Sequence, residues 1–254
     1  MQDSLRIMLE AITGLTAGLM PTVYLFGSVV LDDFQSGWSD IDLLCLTEES
    51  LPLKQAEVLV DLRQALLRDA PGNPYFRSFE GGILSWEAFL EKAKEPIVYW
   101  GTSGQRITDT YCFDPFSTLE LKMYGRLLYG TDHRERIPDP TREEIIEAVR
   151  KHYHTIRQYA KQTQRNLYAA GWMLDIARCL YTLKTNGIIA KTQAGKWALE
   201  NGLVPGTATM RRVIEIRENP LKAKADEQTM DWLLTLGPSI QRFADVLEEW
   251  LKKG

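Results

Sequence analysis

Apolar residues in the first fifty positions recur with two different periods. Leu5, Met8, Leu9, Ile12 and Leu15 follow helical spacing over residues 4–19, and Pro21 marks the point where that helix has ended. Val23-Tyr24-Leu25-Phe26 is then a short apolar strand closed by Gly27-Ser28, and Ile41-Asp42-Leu43-Leu44-Cys45-Leu46 is a second strand whose start carries acids. Leu59, Leu62, Ala65 and Leu66 give the stripe of a helix over residues 53–68. The breaker cluster Asp69-Ala70-Pro71-Gly72-Asn73-Pro74 follows, with a third strand predicted over residues 75–80. Ser85 can cap a helix over residues 86–94, Ile97-Val98-Tyr99-Trp100 reads as a further short strand, and Asp114-Pro115 opens a helix whose stripe Leu119, Met123, Leu127 and Leu128 ends at Gly130.

The pattern changes after residues 131–140, a stretch with two prolines and a run of charges around His133 that reads as a linker. Thr141 with Glu144 forms a capping box for a long amphipathic helix to about residue 166. Residues 168–185 are strongly apolar and end at Asn186-Gly187, a good helix stop, which makes them the expected centre of a bundle. Further helices are predicted over 192–200, 207–217 and 226–252. The expected architecture is an α/β domain over residues 1–135 and an all-helical domain over 136–254.

Composition narrows the function classes. A net charge of −4 argues against a non-specific nucleic-acid binder, which needs a basic surface to neutralise phosphates. No apolar run approaches a membrane span, and the start of the chain lacks the pattern of a signal peptide, so a cytoplasmic protein with no membrane partner is expected. Cys45, Cys112 and Cys179 are isolated among apolar neighbours and read as reduced core residues. His152 and His154 are two apart and do not share a helix face, so they are poor co-ligands for a metal.

The chemistry concentrates at the first two strands. Asp40 and Asp42 share one strand face while Ile41 and Leu43 take the other. Two carboxylates so close repel and call for a cation, and hard oxygen ligands of this kind suit Mg²⁺ together with phosphate oxygens. Gly27 lets backbone approach a phosphate with no Cβ in the way, and the Ser28 hydroxyl adds a donor. Transfer of a nucleotide also needs an acceptor for the proton of the attacking hydroxyl, for which Glu80 is the candidate. From pattern alone Glu80 is equally an edge-strand glutamate facing water.

Gly27-Ser28, then Ser39-Asp40-Ile41-Asp42 with Ser39 eleven positions after Ser28, resembles the nucleotidyltransferase signature. With Arg77-Ser78-Phe79-Glu80 following, the order is similar to the aminoglycoside adenylyltransferases that modify streptomycin and spectinomycin. The second half agrees: Ile176-Ala177-Arg178-Cys179-Leu180-Tyr181, Thr185-Asn186-Gly187-Ile188-Ile189-Ala190-Lys191 and Gly195-Lys196-Trp197-Ala198 look like that family's helical domain. The resemblance implies Mg²⁺-dependent transfer of AMP from ATP to a hydroxyl of an aminoglycoside-like small molecule, in a cleft between the two domains. Asp40 and Asp42 would hold the metal, Glu80 would be the base, and Gly27, Ser28, Ser39, Arg178 and Lys191 would bind the nucleotide. Taken alone, Arg178 also reads as half of a buried ion pair and Lys191 as a solvated loop charge. Gly81-Gly82 depart from the bulky strand residues usual after the glutamate, and Gln164 and Tyr168 stand where the family places acids for a cationic drug. A protein or RNA acceptor, or a non-catalytic nucleotide-binding or antitoxin-like module, stays open as an alternative.

Overall fold

The computed structural model describes residues 1–101 and 104–253. The chain divides into two compact units, Met1–Val30 with Ser39–Asp139, and Leu31–Trp38 with Pro140–Gly254.

The first unit is α/β. Its strands are β1 (Thr22–Phe26), β2 (Ile41–Thr47), β3 (Phe79–Ser85), β4 (Ile97–Gly101), β5 (Gly104–Thr108) and β6 (Arg126–Tyr129), ordered β5-β4-β3-β2-β1-β6 in one sheet. β2 and β3 run parallel, joined through helix α2 (Leu53–Asp69), and the other pairs are antiparallel. Helix α1 (Gln2–Thr16) packs on α2 and β6, and α2 lies along β4 and β5. Trp100 Nε1 donates to Val60 O of α2, so the strand parity that carries Trp100, Gly81 and Leu43 faces α2. The opposite parity builds the other core: Tyr24, Phe26, Leu44, Leu46 and Leu84 pack with Trp86 and Phe89 of α3 (Trp86–Glu91) and Leu121 of α4 (Pro115–Tyr124). Asp42 and Glu80 share this second parity, two positions ahead of Leu44 and Gly82. The acids therefore continue an aromatic-lined face at the end where both parallel strands begin.

Several elements of this unit differ from the sequence expectation. The third strand starts at Phe79 and runs to Ser85, because residues 76–78 form a single 3₁₀ turn and Gly81-Gly82 lie inside the strand. The stripe from Leu119 to Leu128 is split, since α4 stops at Tyr124 and residues 126–129 form β6 beside β1. Gly125 makes the turn: a Cβ there would stand 2.3 Å from Leu121 O. β5 was not foreseen; Gly104-Gln105-Arg106-Ile107-Thr108 pairs on one side only and carries the polar side chains of an edge. Cys112 is exposed, against the expectation of a core thiol, whereas Cys45 and Cys179 are buried and burial pushes the Cys45 thiol up to about 12.

The second unit is helical: α5 (Arg142–Tyr159), α6 (Tyr168–Thr185), α7 (Lys191–Glu200), α8 (Thr207–Glu218), α9 (Pro220–Ala225), α10 (Glu227–Leu233) and α11 (Gly237–Leu251). The Thr141/Glu144 capping box is present, and α6 is the buried central helix, ended by Asn186 in the left-handed conformation. α5 ends at Tyr159 rather than near 166, and residues 226–252 are two helices rather than one. Both breaks meet at one place, where Gly237 is so close that a Cβ would lie 2.5 Å from Lys161 O, and Thr163 Oγ1 donates to Leu234 O. α11 packs on α5 and α6. Among the described residues no helix is long and apolar enough to cross a membrane.

Candidate active site

The acidic strand and the glycine turn are brought together by the β1–β2 register. Phe26 pairs with Asp42, so the next residue, Gly27, enters its turn directly beside the carboxylate. Gly27 has φ +76, and a Cβ there would stand 1.9 Å from Asp42 Oδ2. Only glycine meets both demands. Gly27–Val29 form one 3₁₀ turn, and Ser28 Oγ donates to Asp40 O at 3.3 Å, fastening the turn to the strand entry that carries the acids. Ser39 is buried at the same entry.

Glu80 is in register with Asp42 on the parallel neighbour. Strands lie about 4.8 Å apart, so these two side chains are lateral neighbours on one face. Glu80 is thus part of the acidic site, and the reading of it as an edge glutamate fails because β3 is an interior strand.

Two residues not singled out in the sequence complete this half. Arg63, buried on α2, donates from Nη1 to Phe79 O at 2.8 Å. Burial lowers its pKa while the carboxylates of Glu80 and Asp40 draw it back up, so a guanidinium stands close to the acids as a counter-charge. Its position on an amphipathic helix gave no sign of this role. Tyr111 fills the space left by Gly82, where a Cβ would meet its ring at 2.7 Å. Burial, reinforced by the Asp42 carboxylate, pushes its hydroxyl above the ordinary phenol range. Gly81 has φ +142 and a missing Cβ that would lie 1.7 Å from Leu43 O, so the glycine pair draws β3 onto β2 and seats an aromatic ring beside the acids.

Among the described residues no three His, Cys, Asp or Glu side chains form a closed metal cage. Two carboxylates at a strand entry beside a glycine turn fit Mg²⁺, which binds through one or two carboxylates and takes its remaining ligands from water and substrate phosphates. Gly27→Ala tests the close approach. It should cost about 1–2 kcal/mol in backbone strain and displace the Asp42 carboxylate, lowering kcat by at least about tenfold with a modest fall in Tm. Unchanged kcat would show that Asp42 has room to move without consequence.

The helical unit holds the basic candidates. Lys191 opens α7, and its Nζ pairs with Asp175 Oδ1 on α6 at 3.0 Å. Burial pushes the Asp175 carboxyl up, but Lys191, Arg178 and His152 together bring it below the usual carboxylate range. Asp175 therefore gathers Lys191 and Arg178 around one carboxylate, and neither is an isolated surface charge. The available signal was the spacing of Asp175 and Arg178, three apart on one helix face. Trp100 is a core residue at 2% exposure. Tyr168 is exposed at the start of α6, and Gln164 Oε1 accepts from Asn166 Nδ2.

Residues 21–81 match the nucleotidyltransferase domain model, and residues 136–215 match the model described as aminoglycoside adenylyltransferase, C-terminal domain. No curated protein matches the sequence. Among solved structures, the chain resembles the spectinomycin adenyltransferase AAD(9) from Enterococcus faecialis, determined with ATP and spectinomycin, with a TM-score of 0.60 and 15% identity over 95% of this chain and 97% of that one. That likeness establishes the fold, while the two domain matches fall on the segments that carry the acidic site and the basic helices. The chain belongs to the aminoglycoside nucleotidyltransferase family and is an adenylyltransferase.

Proposed function

We propose that this enzyme transfers AMP from ATP to a hydroxyl of an aminoglycoside-like antibiotic. The observation that supports the reading is the packing of Gly27 against Asp42 with Glu80 in register beside it, three groups that would serve as phosphate-accepting turn, metal-binding acid and base. Asp40 and Asp42 are the residues that would hold Mg²⁺. When bound, the ion neutralises charge on the triphosphate and stabilises the displacement at the α-phosphorus. Gly27, Ser28 and Ser39 orient the phosphates at the turn, while Arg178 and Lys191 supply cationic donors to the same triphosphate. Glu80 takes the proton of the attacking hydroxyl, which joins the α-phosphorus as pyrophosphate leaves.

The match to an aminoglycoside adenylyltransferase domain over residues 136–215 supports an antibiotic acceptor, and AAD(9) is a relative of the same fold with spectinomycin bound. Incubating the protein with ATP, Mg²⁺ and a mixed panel of aminoglycosides and spectinomycin, followed by mass spectrometry, tests the proposal. An adduct 329 Da heavier than one drug would not by itself suffice; its formation should also need Mg²⁺ and release one pyrophosphate per product, as expected for about one AMP transferred. Absence of any adduct with every nucleoside triphosphate would remove the antibiotic as acceptor.

A further inference from the structure

The spacer between the phosphate turn and the acidic strand does not stay with the unit that contains both. The chain leaves the first unit after Val30 and rejoins it at Ser39, and residues Leu31–Trp38 pack within the helical unit. Asp33 is a buried part of that attachment. Asp33, 5% exposed, receives the Thr192 hydroxyl at Oδ1 and the Thr192 N–H at Oδ2, 3.3 Å away. Arg217, 3% exposed, donates from Nη2 to Asp33 O at 3.0 Å and Oδ2 at 3.2 Å, while its guanidinium lies 4.9 Å over the Trp38 ring. Lys224 Nζ adds a bond to Gly37 O at 2.6 Å.

The partner of Asp33 is the second residue of α7. The cap position of this helix is Ala190, whose side chain accepts nothing, so a free N–H at the helix start is taken by a carboxylate from 159 positions earlier in the chain. The negative charge also complements the helix dipole at that end. Lys191 is the preceding residue, the first of α7, and its ammonium is the one held by Asp175. Fixing Thr192 through both its N–H and its hydroxyl fixes the backbone from which Lys191 projects.

We propose that Asp33 is a positioning residue for nucleotide binding: by capping α7 through Thr192 it sets Lys191, and because it lies in the spacer of the Gly27-Ser28 and Asp40-x-Asp42 motif it ties that motif's chain segment to the helix bearing Lys191. The inference rests on the reading that Lys191 binds the triphosphate. It adds a residue and a linkage that lie outside the Gly27-Ser28 and Asp40-x-Asp42 signature.

Calorimetric titration of ATP with Mg²⁺ into the whole protein and a set of variants tests it. Thr192→Val is nearly isosteric and leaves the Asp33–Arg217 ion pair in place, so the protein should remain folded, as a thermal melt would verify. Its ATP affinity should fall about tenfold, the loss of one hydrogen bond to a charged group, and Thr192→Ser, which keeps the hydroxyl, should recover most of that. Lys191→Ala should weaken ATP roughly ten- to a hundredfold, and adding Thr192→Val to it should cost little more, because both changes act through one ammonium. Full affinity in Thr192→Val beside a weakened Lys191→Ala would overturn the positioning role and leave the nucleotide reading intact. Additive losses would overturn it too, by showing an effect independent of Lys191. Full affinity in Lys191→Ala would remove that residue from the triphosphate, and the role of Asp33 would fall with it.

Discussion

Asp42→Asn is expected to abolish transfer while leaving the protein folded, with Tm equal to or slightly above that of the parent. The amide keeps the size of the carboxylate, so the contact with Gly27 and the β1–β2 register survive. What is lost is the charge that holds Mg²⁺, and the several kcal/mol of transition-state stabilisation supplied through the ion correspond to a fall in kcat of more than about 10³-fold. The stability effect has the opposite sign. Asp40, Asp42 and Glu80 are like charges gathered at one end of two strands, with Arg63 the nearby cation identified from the first unit. Removing one of them relieves repulsion. ATP binding should weaken only in part, since Gly27, Ser28, Arg178 and Lys191 still offer donors. Steady-state turnover, a thermal melt and a Mg²⁺ titration of ATP binding decide the matter together. Wild-type turnover in the variant would remove Asp42 from the metal site.

The elements that position this site were legible where a local rule governs them. The strand over residues 22–26, the acidic strand, α2, the capping box at Thr141 and the stop at Asn186 depend on periodicity, a cap or a left-handed residue, and each is written in a few consecutive positions. The α/β half followed by a helical half was legible for the same reason. Elements decided by distant partners were not. β6 has two leucines that suit a helix as well as a strand, and only pairing with β1 decides between them. Gly81-Gly82 look like breakers until Leu43 O and the Tyr111 ring are seen in the space their side chains would fill. Arg63 and Asp33 were passed over because a polar residue on an amphipathic helix or in a spacer carries no local mark of burial, whereas Asp175 was marked locally only by its spacing from Arg178. Their significance comes from Phe79 O, from Lys191, and from Thr192 with Arg217, partners on other elements of the chain.

Glu80→Gln separates the two roles a third acid can fill. Glu80 neighbours Asp42 across a parallel pair, so geometry alone permits it to be a metal ligand or a base. If it is the base, the amide keeps the shape of the site but cannot accept the proton of the attacking hydroxyl. kcat should then fall by about 10²–10⁴ while affinity for ATP with Mg²⁺ changes little. The pH dependence offers a second readout. In the parent, rate should rise with pH as the carboxylic acid gives up its proton, because only the carboxylate can take one from the acceptor. In Glu80→Gln that rise should disappear, leaving a slow and flatter profile. Arg63 supplies the control: it donates to Phe79 O rather than to the acceptor, so Arg63→Met should disturb the placement of Glu80 and lower kcat while keeping the rise with pH. A collapse of nucleotide affinity in Glu80→Gln would make Glu80 a ligand instead, and the proton would have to leave to solvent or to Asp40.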